Sequence, residues 1–161
     1  MRTLILFLTI FLLPFGVQAK KEDPLKYDIT SAGVSASGMT LVKISLYVDK
    51  PAKATVELLK KAAVHGIIFR GLNESSVLGY SNQKPLASSP AAAQQYGDFF
   101  EAFFQENGQY LSYANMVEST TQAVKVGKKE YRVTAVVNIS TDQLKQVLQQ
   151  AGVIRKMTDG F

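Results

Sequence analysis

Between Thr55 and Leu72 the chain reads TVELLKKAAVHGIIFRGL, and its apolar positions change period partway along. Val56, Leu59 and Ala63, flanked by Leu58 and Ala62, recur at the three-and-four spacing that lays one apolar stripe along a helix. Glu57, Lys60 and Lys61 fall mostly outside that stripe. The pattern predicts a helix ending at Gly66, because helices commonly close on a left-handed glycine. Ile67, Ile68 and Phe69 then follow without alternation, as in a strand covered on both faces. The stretch therefore predicts a helix, a glycine stop and a central strand.

Upstream, Val42, Ile44, Leu46 and Val48 alternate with Lys43, Ser45 and Tyr47, the period of a half-buried strand. Tyr27 to Ala32 is strand-compatible, and the small-residue run GVSASG (Gly33 to Gly38) makes the turn of a hairpin. Joined through the helix to Ile67–Phe69, these strands predict a β-α-β unit, right-handed if the strands are parallel neighbours. Downstream, Ser89-Pro90 combines a hydroxyl cap with proline at the first helical position, and predicts a helix running to Asn107 with Gly108 as its stop. Tyr96, Phe99, Phe100, Phe103 and Phe104 follow helical spacing, and rings that bury about 150–250 Å² each are expected to fill the core. Tyr110 to Val126 is extended in character but longer than the usual five or six residues of a strand, which predicts a bulge or break near Ser119 to Thr121. Gly127-Lys128-Lys129 turns into the alternating strand Tyr131–Ile139. Ser140 and Gln143 have capping-box spacing, Leu144, Val147, Leu148 and Ala151 line one face of a last helix, and Val153 and Ile154 follow Gly152 where they can fold back on it. This order predicts a single two-layer α+β domain, a mixed sheet with helices packed on one face.

The ends of the chain read differently. Met1 to Ala19 carries Arg2, the ten-residue apolar run Leu4 to Leu13, Pro14 and small residues around Ala19, the pattern of a secretory signal peptide cut after Ala19. Its apolar run is well short of the roughly 20 residues that span a bilayer, and no cysteine stands at the cut for a lipid anchor. The expected location is exported, periplasmic or extracellular, with no transmembrane span after cleavage. Lys20 to Lys26 (KKEDPLK) is expected to be a flexible lead into a domain covering Tyr27 to Ile154, and Arg155 to Phe161 a frayed tail.

Composition narrows the chemistry. The chain has no cysteine and one histidine, so disulfides, thiolate sites and histidine-cluster metal sites are excluded, and no cofactor or metal is expected. The formal charge of +5 is spread over scattered lysines with no arginine-rich or aromatic-interleaved patch, which argues against a nucleic-acid partner. There is no Gly-x-Ser-x-Gly elbow, no His-Glu-x-x-His and no phosphate-binding glycine loop, and no catalytic residue is assigned. His65 stands alone near a helix end, where its cation would be favoured by the helix dipole, and is read as a core or boundary residue. Gly71 to Ser89 is the longest stretch without a period, and long loops of this kind often carry function. Arg70, Tyr80 and Lys84 make the one cation and aromatic cluster there, and are the candidate binding residues for an envelope protein or a polar or anionic surface ligand. The function expected is a non-enzymatic binding or envelope-assembly module. The alternative is a small periplasmic hydrolase using a carboxylate pair drawn from Glu101, Glu106, Glu118 and Glu130, since glycoside hydrolysis needs only two carboxylates.

The strings AAVHGIIFRGL (Ala62 to Leu72), QKPLA (Gln83 to Ala87), QQYGDFF (Gln94 to Phe100) and GVIRK with the terminal Gly160-Phe161 resemble those of small exported proteins of the Bacteroidetes kind. That resemblance covers most of the chain after the leader and implies export without implying any chemistry. The strand order is also similar to envelope-associated modules of the FlgT N-terminal type, which accompany surface-assembly machinery. The second resemblance is one of topology and assigns no residue a role.

Overall fold

The structure, a computed structural model, describes residues 25–33, 35–72, 83–87, 89 and 91–155. The leader, Tyr80 and the proline of the Ser89-Pro90 helix start lie outside the described residues.

The two alternating segments form a hairpin, β1 (Tyr27–Gly33) and β2 (Thr40–Val48). The centre of the sheet is completed by β5 (Glu130–Ile139), which pairs with β2 along nine consecutive residues from Thr40↔Ile139 to Val48↔Tyr131. The far side of β5 takes two strands in tandem, β3 (Ala114–Met116) and β4 (Gln122–Gly127). Register decides which side chains share a face, because successive residues of a strand point to opposite sides. Tyr27, Ile29, Val42, Ile44, Leu46, Val133, Ala135, Val137 and Ile139 all fall on one face and are buried there. Asp28, Lys43, Ser45, Tyr47, Arg132 and Thr134 fall on the other, where the Ser45 and Thr134 hydroxyls bond across the strands at 3.0 Å and Tyr47 donates to Asp28 Oδ2 at 2.7 Å. The helices cover the apolar face, giving the two-layer α+β arrangement that the residue pattern predicts.

All four strand pairings are antiparallel, and the expected parallel crossover does not form. The reason lies in α1 (Val56–Phe69), which runs straight through Gly66 and takes in Ile67, Ile68 and Phe69. Gly66 is a contact glycine: a Cβ there would fall 2.6 Å from Ile29 Cδ1 and 3.3 Å from Tyr27 Cε2, so its absence lets α1 sit directly on β1. The unbroken apolar run reflects a helix end buried on most of its circumference, a pattern that periodicity cannot tell from a covered strand. Helix α1 starts on Thr55, whose hydroxyl accepts from the Leu58 N–H at 3.2 Å. It stops one turn later than predicted, at Gly71, which has φ +72 and sends its N–H back to the Gly66 carbonyl at 2.9 Å. The last-turn carbonyls of Ile67 and Ile68 accept from the N–H groups of Leu86 and Ala87, so the returning chain caps the helix.

The aromatic segment breaks into α2 (Ala92–Gln95) and α3 (Gly97–Phe104) rather than one helix to Asn107. The break falls at Tyr96 and Gly97, where glycine removes helix propensity, and the Ser89 hydroxyl still accepts from the Ala91 N–H. Phe100 and Phe103 are buried as predicted, with Phe99 and Phe104 packed beside them. The start of the segment expected to be extended, Tyr110 to Tyr113, lies instead in a 3-10 turn (Gln109–Tyr113) that buries Tyr110. Between β3 and β4 the predicted break is present: Ser119 takes φ +59, and Thr120 Oγ1 donates to the Val117 carbonyl while accepting from the Val136 N–H. A threonine side chain thus stands in for main chain in the ladder.

The last helix, α4 (Thr141–Gln150), buries Leu144 and Leu148. Its capping box does not form: the Ser140 hydroxyl caps no N–H, and the Ser140 N–H that the Gln143 side chain would take donates instead to the Tyr113 carbonyl at 2.9 Å. Val153 and Ile154 fold back onto the Leu148 carbonyl, as expected.

Candidate functional site

Arg70 follows directly on α1, at the point where the helix meets the outer edge of β1. Its Nη1 donates to the Tyr27 carbonyl at 2.8 Å, and its guanidinium carbon lies 4.0 Å from the centroid of the Tyr27 ring. Both contacts place a cation over an aromatic face while fixing it to a strand. The side chain is exposed nonetheless, and one bond to Tyr27 leaves most of the five guanidinium N–H donors directed elsewhere.

Beneath Arg70 the Tyr27 ring reaches His65, one turn before the end of α1. Tyr27 Oη lies 2.6 Å from His65 Nδ1, and the two rings meet edge to face with centroids 5.8 Å apart. Phe69 and Phe104 close the other sides of the imidazole at 4.8 Å and 5.8 Å. Burial, with the positive charges of Arg70 and Lys61 added, pushes His65 down to about 4, while burial pushes the Tyr27 hydroxyl up to about 12 against the pull of Arg70. At neutral pH the imidazole is therefore uncharged and the phenol protonated, and the tautomer of the ring sets which of the two donates across the 2.6 Å contact. The helix-dipole cation expected of His65 is overruled by desolvation.

Of the three sequence-predicted binding residues, two are described. Arg70 stands on the α1–β1 seam. Lys84 is exposed on the returning segment, whose main chain runs against Gly71: a Cβ on Gly71 would lie 2.9 Å from the Lys84 carbonyl carbon. Leu72 and Gln83 pair across the base of that loop in both directions, at 2.8 and 3.1 Å, so the segments bearing Arg70 and Lys84 are joined. Tyr80 lies outside the described residues. Tyr27 and His65 complete the arrangement, and the pattern of residues singles out neither as a pair, because 38 positions separate them.

The carboxylates considered for hydrolysis are dispersed. Glu101, Glu106 and Glu118 are exposed, and Glu130 holds Lys26 at 2.6 Å. Glu106 does share a small hollow of about 220 Å³ with Glu57, between the start of α1 and the end of α3, with Lys61 in the same lining. A wide groove of about 1160 Å³ runs along α4 past Tyr96, Gln146, Gln149 and Val153 and reaches Leu86, two residues after Lys84, and its Asp142 is ion-paired with Lys145 at 3.3 Å. Among the described residues no group of histidines and carboxylates is placed to hold a metal ion, and no helix is long and apolar enough to cross a membrane.

No protein-family model, no curated protein and no solved structure matches this chain. The functional reading rests on its own residues.

Proposed function

We propose that this chain is an exported, non-enzymatic binding or assembly module of the cell envelope, recognising a polar or anionic partner through the Arg70 end of the α1–β1 seam. The observation that carries the reading is the state of Arg70: an exposed guanidinium held by Tyr27 on a rigid strand end, with donors to spare. A scaffold that fixes a cation in advance lowers the ordering cost of binding an anion. Lys84, on the adjoining segment, adds a second cation to the same end of the molecule. The leader-like first 19 residues support export, and the Tyr27–His65 bond supports a structural rather than a chemical use of the single histidine.

The reading is tested by crosslinking the purified protein into an envelope fraction and comparing it with an Arg70→Gln, Lys84→Gln variant. Recovery of a defined partner by the unaltered protein, and its loss in a variant that melts normally, is the expected result. Equal recovery by both proteins would move the surface elsewhere. The shared hollow of Glu57 and Glu106 favours the alternative hydrolase reading. Glycoside or peptide turnover by the unaltered protein that disappears in Glu106→Gln would replace the binding module with that enzyme.

A further inference from the structure

The sheet has two outer edges, and they are defended unequally. Edge strands expose a row of unpaired N–H and C=O groups, and proteins commonly blunt them with lysines, prolines or bulges. β4 carries Lys125, turns through Lys128 and Lys129, and slips register between Lys125 and Gly127. β1, from Tyr27 to Gly33, has no lysine, arginine or proline; its own register slip falls only at its far end, between Ser31 and Gly33, and it stays in register with β2 from Tyr27 to Ser31.

The phase of the β1 ladder shows which main-chain groups face outward. The Lys26 carbonyl accepts from the Tyr47 N–H, so Lys26, Asp28 and Thr30 turn toward β2. Alternation along an antiparallel pair then turns Tyr27, Ile29 and Ser31 outward. Arg70 confirms the phase, because its guanidinium reaches the Tyr27 carbonyl from outside. Among the described residues nothing takes up the outward N–H and C=O groups of Ile29 and Ser31.

We propose that the β1 edge is a strand-addition site for an extended peptide bearing a carboxylate, which pairs with the main chain of Ile29 and Ser31 and sets its carboxylate on Arg70. The main-chain groups dictate an extended backbone, since only a strand can offer donors and acceptors at their repeat. Arg70 dictates the charge. A second copy of this chain fits less well, because β1 paired with β1 would bring Ser31 to Gly38 past Arg70, a run without a carboxylate. The one acid of β1, Asp28, lies on the open face and already accepts from Tyr47. Two outward residues supply two donors and two acceptors, and the guanidinium supplies a planar fork for the carboxylate. This inference deepens the binding-module reading and rests on it.

The test uses a fluorescein-labelled octapeptide of alternating valine and threonine ending in glutamate, its twin ending in lysine, and anisotropy with the purified protein. The glutamate peptide is expected to bind at least about tenfold tighter than the lysine twin, and the margin to shrink with added salt. Ser31→Pro removes an outward N–H without touching the β2 ladder, and is expected to weaken binding about tenfold or more while the melting temperature holds. Should Ser31→Pro not fold, a backbone N-methylated glutamate peptide against the unaltered protein asks the same question, and undiminished binding would overturn main-chain pairing. Arg70→Glu is expected to invert the preference between the twins. Equal affinity for both peptides, no binding of either, or a dimer seen by light scattering that Ser31→Pro dissolves would each overturn the proposal. An envelope partner recovered by Ser31→Pro but lost in Arg70→Gln would overturn strand addition and leave the binding-module reading in place.

Discussion

The α1–β1 seam and the β4–β5 hairpin lie at opposite margins of one sheet, and both are built from short, β-branched, alternating segments. At the seam, Tyr27 and Ile29 are buried under a helix that comes close enough to need glycine at position 66, with the Tyr27–His65 and Arg70–Tyr27 bonds fastening the contact. At the hairpin, every residue of β4 from Gln122 to Val126 is exposed, and Val124 and Val126 keep 49% and 43% of their surface in water. The same strand period therefore describes a welded margin and a bare one. What separates them is the helix above: α1 lies over β1, β2, β3 and β5, and nothing among the described helices covers β4. Burial, and with it energy, comes from the covering layer rather than from strand character.

The comparison breaks most sharply in the helical layer. Phe103→Ala is expected to cost about 3–5 kcal/mol, because the ring is buried among Phe99, Phe104 and Tyr113 and its loss leaves a cavity. A denaturant midpoint implying less than about 1 kcal/mol would show that the layer is not the core. Gly66→Ala should cost roughly 1–3 kcal/mol despite better helix propensity, since the new methyl meets Ile29 and Tyr27. A stabilised Gly66→Ala would mean that α1 stands further from β1.

The seam should also sense pH. His65 takes up its proton less readily folded than unfolded, so stability is intact above the ordinary imidazole value near 6.5 and falls as pH drops toward about 4. Discounted for partial exposure, the loss is on the order of 1–2 kcal/mol. Thermal melts from pH 7 to 4 should show that slope, and His65→Gln should flatten it. At the alkaline end the sign reverses. The Tyr27 hydroxyl, held up at about 12, stabilises the fold fully below pH 10 and loses that contribution as pH rises from 10 to 12. At the bare margin, Val124→Thr and Val126→Thr should each change stability by less than about 0.5 kcal/mol. A larger loss in either would mean that β4 is covered in solution, most simply by self-association.

Much of this architecture is legible in the residues. The alternations at Leu41–Val48 and Tyr131–Ile139 correspond to β2 and β5, the break near Ser119 is present, and the buried pair Phe100 and Phe103 answers to the aromatic stripe. The residue pattern puts Arg70 after a strand, Ile67–Phe69, whereas it follows the end of α1, and the returning segment brings the main chain of Lys84 against Gly71. The Tyr27–His65 pair is not legible, since a lone histidine on an apolar stripe looks like any boundary residue until its partner from another element is known.

Local chemistry determined the elements and their faces: period two at β2 and β5, period three-to-four along α1 and α4, and a hydroxyl at the start of α1. Tertiary structure decided where α1 ends, whether Gly66 stops a helix or admits a strand, and that all pairings run antiparallel. The physical reason is that an unbroken apolar run states only that a segment is surrounded. Its conformation depends on what surrounds it, and here Ile67 and Ile68 are enclosed by the sheet on one side and by the returning chain, which bonds to their carbonyls, at the helix end.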